Sequence, residues 1–214
     1  MRGLLWAAIV AGASYCLAAW LGWHGPAVTA WKGAGVGLLA LWAATRARDT
    51  DGWLLVAVLA LGALGDVLLD AVGMVAGAAA FLAGHLVAIA LYARNRRVVL
   101  TPSQHTLGWL IAPATVAITA GLTWRSGEAA TVGIYAAALG AMAAMAWTSR
   151  FPRYRTGIGA MLFVASDLLI FSRAGPLAGS FVPTLLVWPL YFAGQALIAI
   201  GVVGTLAADS ARDG

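Results

Sequence analysis

Apolar residues run through this chain in long stretches, and polar residues fall mostly in the short breaks between them. Eight such stretches can be traced, roughly 3–22, 29–46, 52–71, 74–93, 106–124, 129–149, 155–173 and 182–207. Wound as a helix rising ~1.5 Å per residue, each is long enough to cross ~30 Å of hydrocarbon. The breaks carry turn and charge signals, among them His24-Gly25-Pro26, Arg46 to Gly52, Arg94-Asn95-Arg96-Arg97, Arg125 to Glu128, Arg150 to Arg155 and Arg173 to Pro176. The break at Val72-Gly73 has no charge and is the weakest. The pattern predicts an all-α integral membrane protein of eight transmembrane helices, forming one membrane domain over residues 1–214. The first stretch follows Arg2 directly. Its length and the lack of a clear cleavage site mark it as a helix rather than a signal peptide.

Composition agrees. Of 214 residues, 62% are hydrophobic and 10% charged, against about 25% charged in soluble domains. The apolar content is spread evenly, which leaves no room for a soluble domain. The net charge of +5 sits in short loops, with no basic domain to hold nucleic acid. The amino terminus, the loops after the second, fourth and sixth stretches, and the carboxyl tail hold Arg2, Arg46, Arg48, Arg94, Arg96, Arg97, Arg150, Arg153, Arg155 and Arg212. Only Lys32, Arg125 and Arg173 lie on the other side. This asymmetry places both termini in the cytoplasm and requires an even number of spans. The single cysteine, Cys16, allows no disulfide framework. Trp20, Trp23, Trp31, Trp53, Trp109, Trp124, Trp147 and Trp188 lie mostly near span ends, and interfacial belts account for nearly all of them. The 26 glycines read as packing residues that let helices approach closely.

Against this background the carboxylates stand out. Asp167 is set deep in the apolar run 157–171, and Asp66 and Asp70 lie in the run 52–71. A central aspartate costs ~2.5–3.5 kcal/mol on insertion scales, so residues kept there at such a cost are functional candidates. The two stretches resemble each other: Gly65-Asp66 and Ser166-Asp167 are each followed by three aliphatic residues. One helix later, Phe81 to His85 resembles Tyr191 to Gln195. Two tandem four-helix repeats, 1–100 and 101–214, account for this, and would set Asp66 opposite Asp167 and His85 opposite Gln195. With the amino terminus inside, Lys32, Asp66, His85, Asp167, Tyr191 and Gln195 fall at similar depth, from mid-membrane outward.

Two close carboxylates split their titrations, so one can hold a proton while the other stays ionised. That suits hydrolysis by acid and base. Asp66 and Asp167 are the better pair, since Asp70, one turn beyond Asp66, is placed to reach the headgroups. Lys32 can snorkel or contact a headgroup phosphate. His24, His85 and His105 are predicted at three depths and cannot together bind zinc, which leaves His85 with the two aspartates as the one zinc arrangement open. No nucleophile elbow, phosphate-binding loop or cofactor fingerprint is present, and neither metal nor cofactor is expected.

Lys32 opening the second span, Gly65-Asp66, Phe81 to His85, Phe163 to Asp167 and Tyr191 to Gln195 together resemble the YhhN-type lysoplasmalogenases, which include the transmembrane protein 86 proteins of animals. The resemblance covers nearly the whole chain, and Phe-x-x-Ser-Asp with the later Tyr-x-x-x-Gln is its more specific part. It implies an integral-membrane hydrolase of the vinyl ether bond of lysoplasmalogens, releasing a fatty aldehyde and a glycerophospho-ethanolamine or -choline. Asp66 and Asp167 are then the catalytic groups, with Lys32, Asp70, His85, Ser166, Tyr191 and Gln195 serving the lysophospholipid substrate. The site would open toward the outer leaflet of a bacterial plasma membrane. Two positions depart from the family pattern: Gly33 follows Lys32 where proline is expected, and Ala88 stands where a tyrosine is expected. A proton-coupled transporter of lipids or small molecules uses the same kind of carboxylates. It also needs polar residues reachable from both faces, whereas the inner halves of these spans are nearly featureless.

Overall fold

The computed structural model describes residues 2–124 and 129–212, with side chains described for 3–124 and 132–212. Arg125 and Glu128 lie outside the described residues, as does the side chain of Arg2. Among the described residues eight α-helices follow one another: α1 (Arg2–Trp20), α2 (Pro26–Ala44), α3 (Thr50–Ala71), α4 (Met74–Arg94), α5 (Pro102–Thr123), α6 (Ala129–Thr148), α7 (Ile158–Ser172) and α8 (Val182–Ser210). Seven are long and apolar enough to cross a membrane, counting the lead-in to α7. The described part of α6, Val132–Thr148, is apolar but shorter. The chain is an all-helical integral membrane protein.

Local chemistry sets the helix ends. Proline opens α2 and α5, where its missing N–H costs nothing. The Thr101–Gln104 capping box starts α5 at Pro102, earlier than the apolar run from 106 implies, because a capped first turn can be polar. The uncharged break near residue 73 holds because Gly73 takes φ +129°, a conformation that side chains disfavour. Its N–H and that of Val72 both close on the Leu68 carbonyl, turning α3 into α4. A π-helical turn, Arg153–Gly157, leads into α7.

Neighbours in sequence pack as pairs: α1 on α2, α2 on α3, α3 on α4, α5 on α6 and α7 on α8. Further along the chain α4 also packs on α6, and α8 lies against α1, α2 and α3. Inside α8, Pro189 lacks the N–H that would bond the Leu185 carbonyl. The Trp20 indole N–H donates to that carbonyl instead, at 3.0 Å.

Trp20, Trp23, Trp53, Trp109 and Trp124 are exposed, as belts require, but Trp188 is not. It is only 5% exposed, stacks on Phe192 and donates its Nε1–H to the Gly12 carbonyl at 2.7 Å. The belt assignment therefore fails for Trp188, because α8 lies inside the bundle and the indole finds a partner on α1. Trp188→Phe removes this bond while keeping a ring, and is expected to lower stability by about 1–2 kcal/mol, read as a lower melting midpoint in detergent.

Polar groups at one end bind the helices together. Asp51, at the start of α3, accepts from Arg94 Nε (2.7 Å) and Asn95 Nδ2 (2.8 Å) at the end of α4. Asn95 Oδ1 accepts from Arg150 Nε (2.6 Å), and Arg150 also reaches Asp209 near the end of α8 (2.5 Å). Four helices are thereby linked at the end that carries most of the arginines.

Candidate functional site

Asp66 comes inward because it continues the buried stripe of α3, which runs Leu55, Val58, Leu59, Gly62, Gly65 at the spacing of one helix face. His85 lies on the corresponding stripe of α4 with Gly77, Ala80, Gly84 and Ala88. Phe163, Ser166 and Asp167 share the buried face of α7, and Trp188, Tyr191 and Gln195 that of α8. Small residues make the convergence possible. A Cβ on Gly65 would lie 2.9 Å from the Phe81 ring. One on Gly62 would lie 2.8 Å from Gln195 Nε2 and 3.2 Å from the Tyr191 hydroxyl.

Both candidate carboxylates are buried, Asp66 at 2% and Asp167 at 6% exposure, and each accepts a hydrogen bond from a tyrosine. Tyr191 O–H donates to Asp66 Oδ2 at 2.9 Å. Tyr135 O–H donates to Asp167 Oδ2 at 2.7 Å, and the same oxygen lies 3.2 Å from His85 Nε2. A tyrosine hydroxyl has one proton. Since Tyr135 directs it to Asp167, toward His85 the oxygen acts as acceptor. Neutral His85 then carries its proton on Nε2 and its lone pair on Nδ1.

Phe163 stands between the two arms. Its ring meets those of His85 and Tyr191 edge-on, each at 5.0 Å, and that of Phe81 at 6.1 Å. Asp66 lies within electrostatic reach of Asp167, Lys32 and Asp70. The tyrosine that serves Asp66 comes from α8, whereas the one that serves Asp167 comes from α6.

The remaining expected residues are placed as follows. Lys32 Nζ pairs with Asp70 Oδ1 at 2.7 Å, with Asp70 partly exposed. Both therefore border the site one turn from Asp66. Ser166 donates to the Val187 carbonyl at 2.9 Å, so its hydroxyl ties α7 to α8. Gln195 is buried beside Tyr191, and its Oε1 finds no hydrogen-bond partner. His24 lies in the α1–α2 connection and His105 in the first turn of α5, apart from His85. Among the described residues no three His, Cys, Asp or Glu side chains gather as a metal site.

The sequence reading missed Tyr135. The signal that could have found it is a hydroxyl within an otherwise apolar run.

Chemically, the arrangement offers two carboxyl groups in an apolar housing, each held by a phenol, with an imidazole attached to one of them. No curated protein and no solved structure matches the chain. A family model does, over residues 27–202, a range that contains every residue of the site. The chain belongs to the YhhN family.

Proposed function

We propose that the protein hydrolyses the vinyl ether bond of lysoplasmalogens, or of closely related lysolipids, by acid–base chemistry of Asp66 and Asp167. The observation that carries this reading is the pair of buried aspartates, each oriented by a tyrosine and both joined to one aromatic cluster. Membership of the YhhN family supports it.

A vinyl ether is a weak base at carbon. One carboxylic acid donates a proton to the carbon β to the ether oxygen, leaving an oxocarbenium ion. The second carboxylate stabilises that cation. Water adds through oxygen to the cationic carbon, and its proton passes to the second carboxylate. The hemiacetal then transfers its O–H proton to the glyceryl oxygen as the C–O bond breaks. The aldehyde and the glycerophospho-headgroup alcohol leave, and proton exchange with solvent restores the pair. The apolar surroundings favour a substrate whose single chain lies among the helices. The Lys32–Asp70 pair, one turn from Asp66, is placed to meet a zwitterionic headgroup.

The same proposal has all eight helices crossing the membrane, α6 included, with both termini cytoplasmic and the site opening toward the outer leaflet of a bacterial plasma membrane. The ten-to-three arginine and lysine asymmetry supports that orientation. Packing of α3 on α4 and of α7 on α8 supports tandem halves at 1–100 and 101–214.

Purified protein in detergent is expected to release aldehyde from a 1-alkenyl lysophospholipid but not from its saturated 1-alkyl counterpart, because only the alkenyl ether can be protonated at carbon. A folded wild-type protein that released no aldehyde would overturn the proposal.

A further inference from the structure

Between α3, α4, α7 and α8 lies a cavity of about 10 Å³, lined by Val58, Gly62, Phe81, Gly84, His85, Phe163 and Gln195. A volume of about 10–15 Å³ by this measure accommodates one water molecule. Gly62 leaves room here, since a Cβ on it would lie 2.8 Å from Gln195 Nε2. Gln195 is 2% exposed, and its Oε1 is an orphaned acceptor. An unpaired buried amide oxygen costs about 1–3 kcal/mol, which a bound water would recover. The other end of the amide, Nε2, lies with the Tyr191 hydroxyl against Gly62, on the Asp66 side. His85, across the cavity, leads through Tyr135 to Asp167.

We infer that this cavity is a binding site for a single water molecule, held by Gln195 Oε1 and His85, and that this water is the nucleophile of the reaction. The second part rests on the hydrolase reading above; the first does not. The water donates one hydrogen to Gln195 Oε1 and the other toward the lone pair on His85 Nδ1, leaving its own lone pair for the oxocarbenium carbon. As the C–O bond forms, Nδ1 takes a proton, Nε2 passes its own to the Tyr135 oxygen, and the Tyr135 proton moves to Asp167. Every group in that chain gains one proton and loses one except Asp167, which gains one. Asp167 is thereby the base, and Asp66 is the acid that protonates carbon.

The test uses Gln195→Leu, with Gln195→Met as a second variant closer in shape. An experimental density map of the wild type should show a solvent peak within hydrogen-bonding distance of the Gln195 amide oxygen, and the variants should lose it. In deuterated water, wild-type protein should return unreacted 1-alkenyl lysolipid free of deuterium, because capture by the held water outruns reversal. Both variants should release aldehyde about 100-fold more slowly, with KM within about twofold. Their recovered substrate should carry deuterium at the protonated vinyl carbon, because the cation reverts before water arrives. A merely structural loss would lower the rate without this label.

A map without the peak overturns the site, whatever the activity. A peak with undiminished aldehyde release from both variants, or with slowed release and unlabelled substrate, overturns the nucleophile role. A peak in a wild-type protein that releases no aldehyde overturns the hydrolase reading and leaves the water site standing.

Discussion

Asp66→Asn and Asp167→Asn should each lower aldehyde release by about 1,000-fold while the protein stays folded. The magnitude follows from what is removed. A positioned general acid or base contributes typically 10²–10⁴-fold, and a preorganised group facing a developing charge about 10²–10³-fold. Asparagine cannot protonate carbon, and it offers no full negative charge to the oxocarbenium ion. It keeps the volume of aspartate and a carbonyl oxygen, so Tyr191 and Tyr135 can still donate at positions 66 and 167. Folding is therefore expected to survive, as read by an unchanged elution profile and a melting midpoint near the wild type. Retention of activity by either variant would show that its carboxylate is structural, and would leave the reaction without one of its two groups.

The second large effect concerns the crossing of α7 and α8. A Cβ on Gly194 would lie 2.6 Å from the Gly159 carbonyl oxygen and 3.2 Å from the Phe163 nitrogen. One on Gly159 would lie 2.6 Å from the Gly194 carbonyl oxygen. Both obstacles are backbone, so no side-chain rotation relieves them and the helices must separate. Such overpacking costs about 1–3 kcal/mol. Separation also moves Gln195 and Tyr191 away from Phe163 and Asp167, and a shift of about 1 Å can cost 10²-fold in rate. Gly194→Ala and Gly159→Ala are thus expected to melt roughly 5–10 °C lower and to lose most activity. Gly204 lies on the same helix α8 with open space around it. Gly204→Ala serves as the control and should melt at or slightly above the wild type, since alanine is the better helix former. A Gly194→Ala protein that behaved like Gly204→Ala would refute the close crossing.

The helices were largely legible in the sequence, because a span long enough to cross hydrocarbon has a length and a composition that turns and arginines punctuate. The expected run 74–93 became Met74–Arg94, and 52–71 became Thr50–Ala71. Ends moved where polar residues continue a helix, at Pro102 to His105 of α5 and in the tail of α8 out to Ser210, where Pro26 opens α2 three residues early, and where a π turn delays α7 to Ile158. The site residues were legible one at a time, because a polar group inside an apolar run is conspicuous. Their partnerships were not. Lys32 and Asp70 were each singled out, yet nothing in the order of residues says that they form an ion pair. Ser166 was singled out beside Asp167 for the substrate, and nothing in the order of residues says that its hydroxyl donates to a backbone carbonyl on α8. Tyr135 was passed over because its partners, His85 and Asp167, lie 50 and 32 residues away and become neighbours only through helix packing.

The order in which these partners are made has its own consequence for synthesis. Asp167 emerges from the ribosome after both Tyr135 and His85, so its polar partners are already waiting. Asp66 emerges 125 residues before Tyr191, and at about 5–20 residues per second that is an interval of roughly 6–25 seconds. Over that interval α3 resides in or beside the insertion machinery with its carboxyl group lacking its eventual phenol. Lys32, already made on α2, is the cation at hand. A nascent chain stalled before α8 should accordingly hold α3 less firmly in the bilayer than the finished protein does, since α8 completes the surroundings of Asp66.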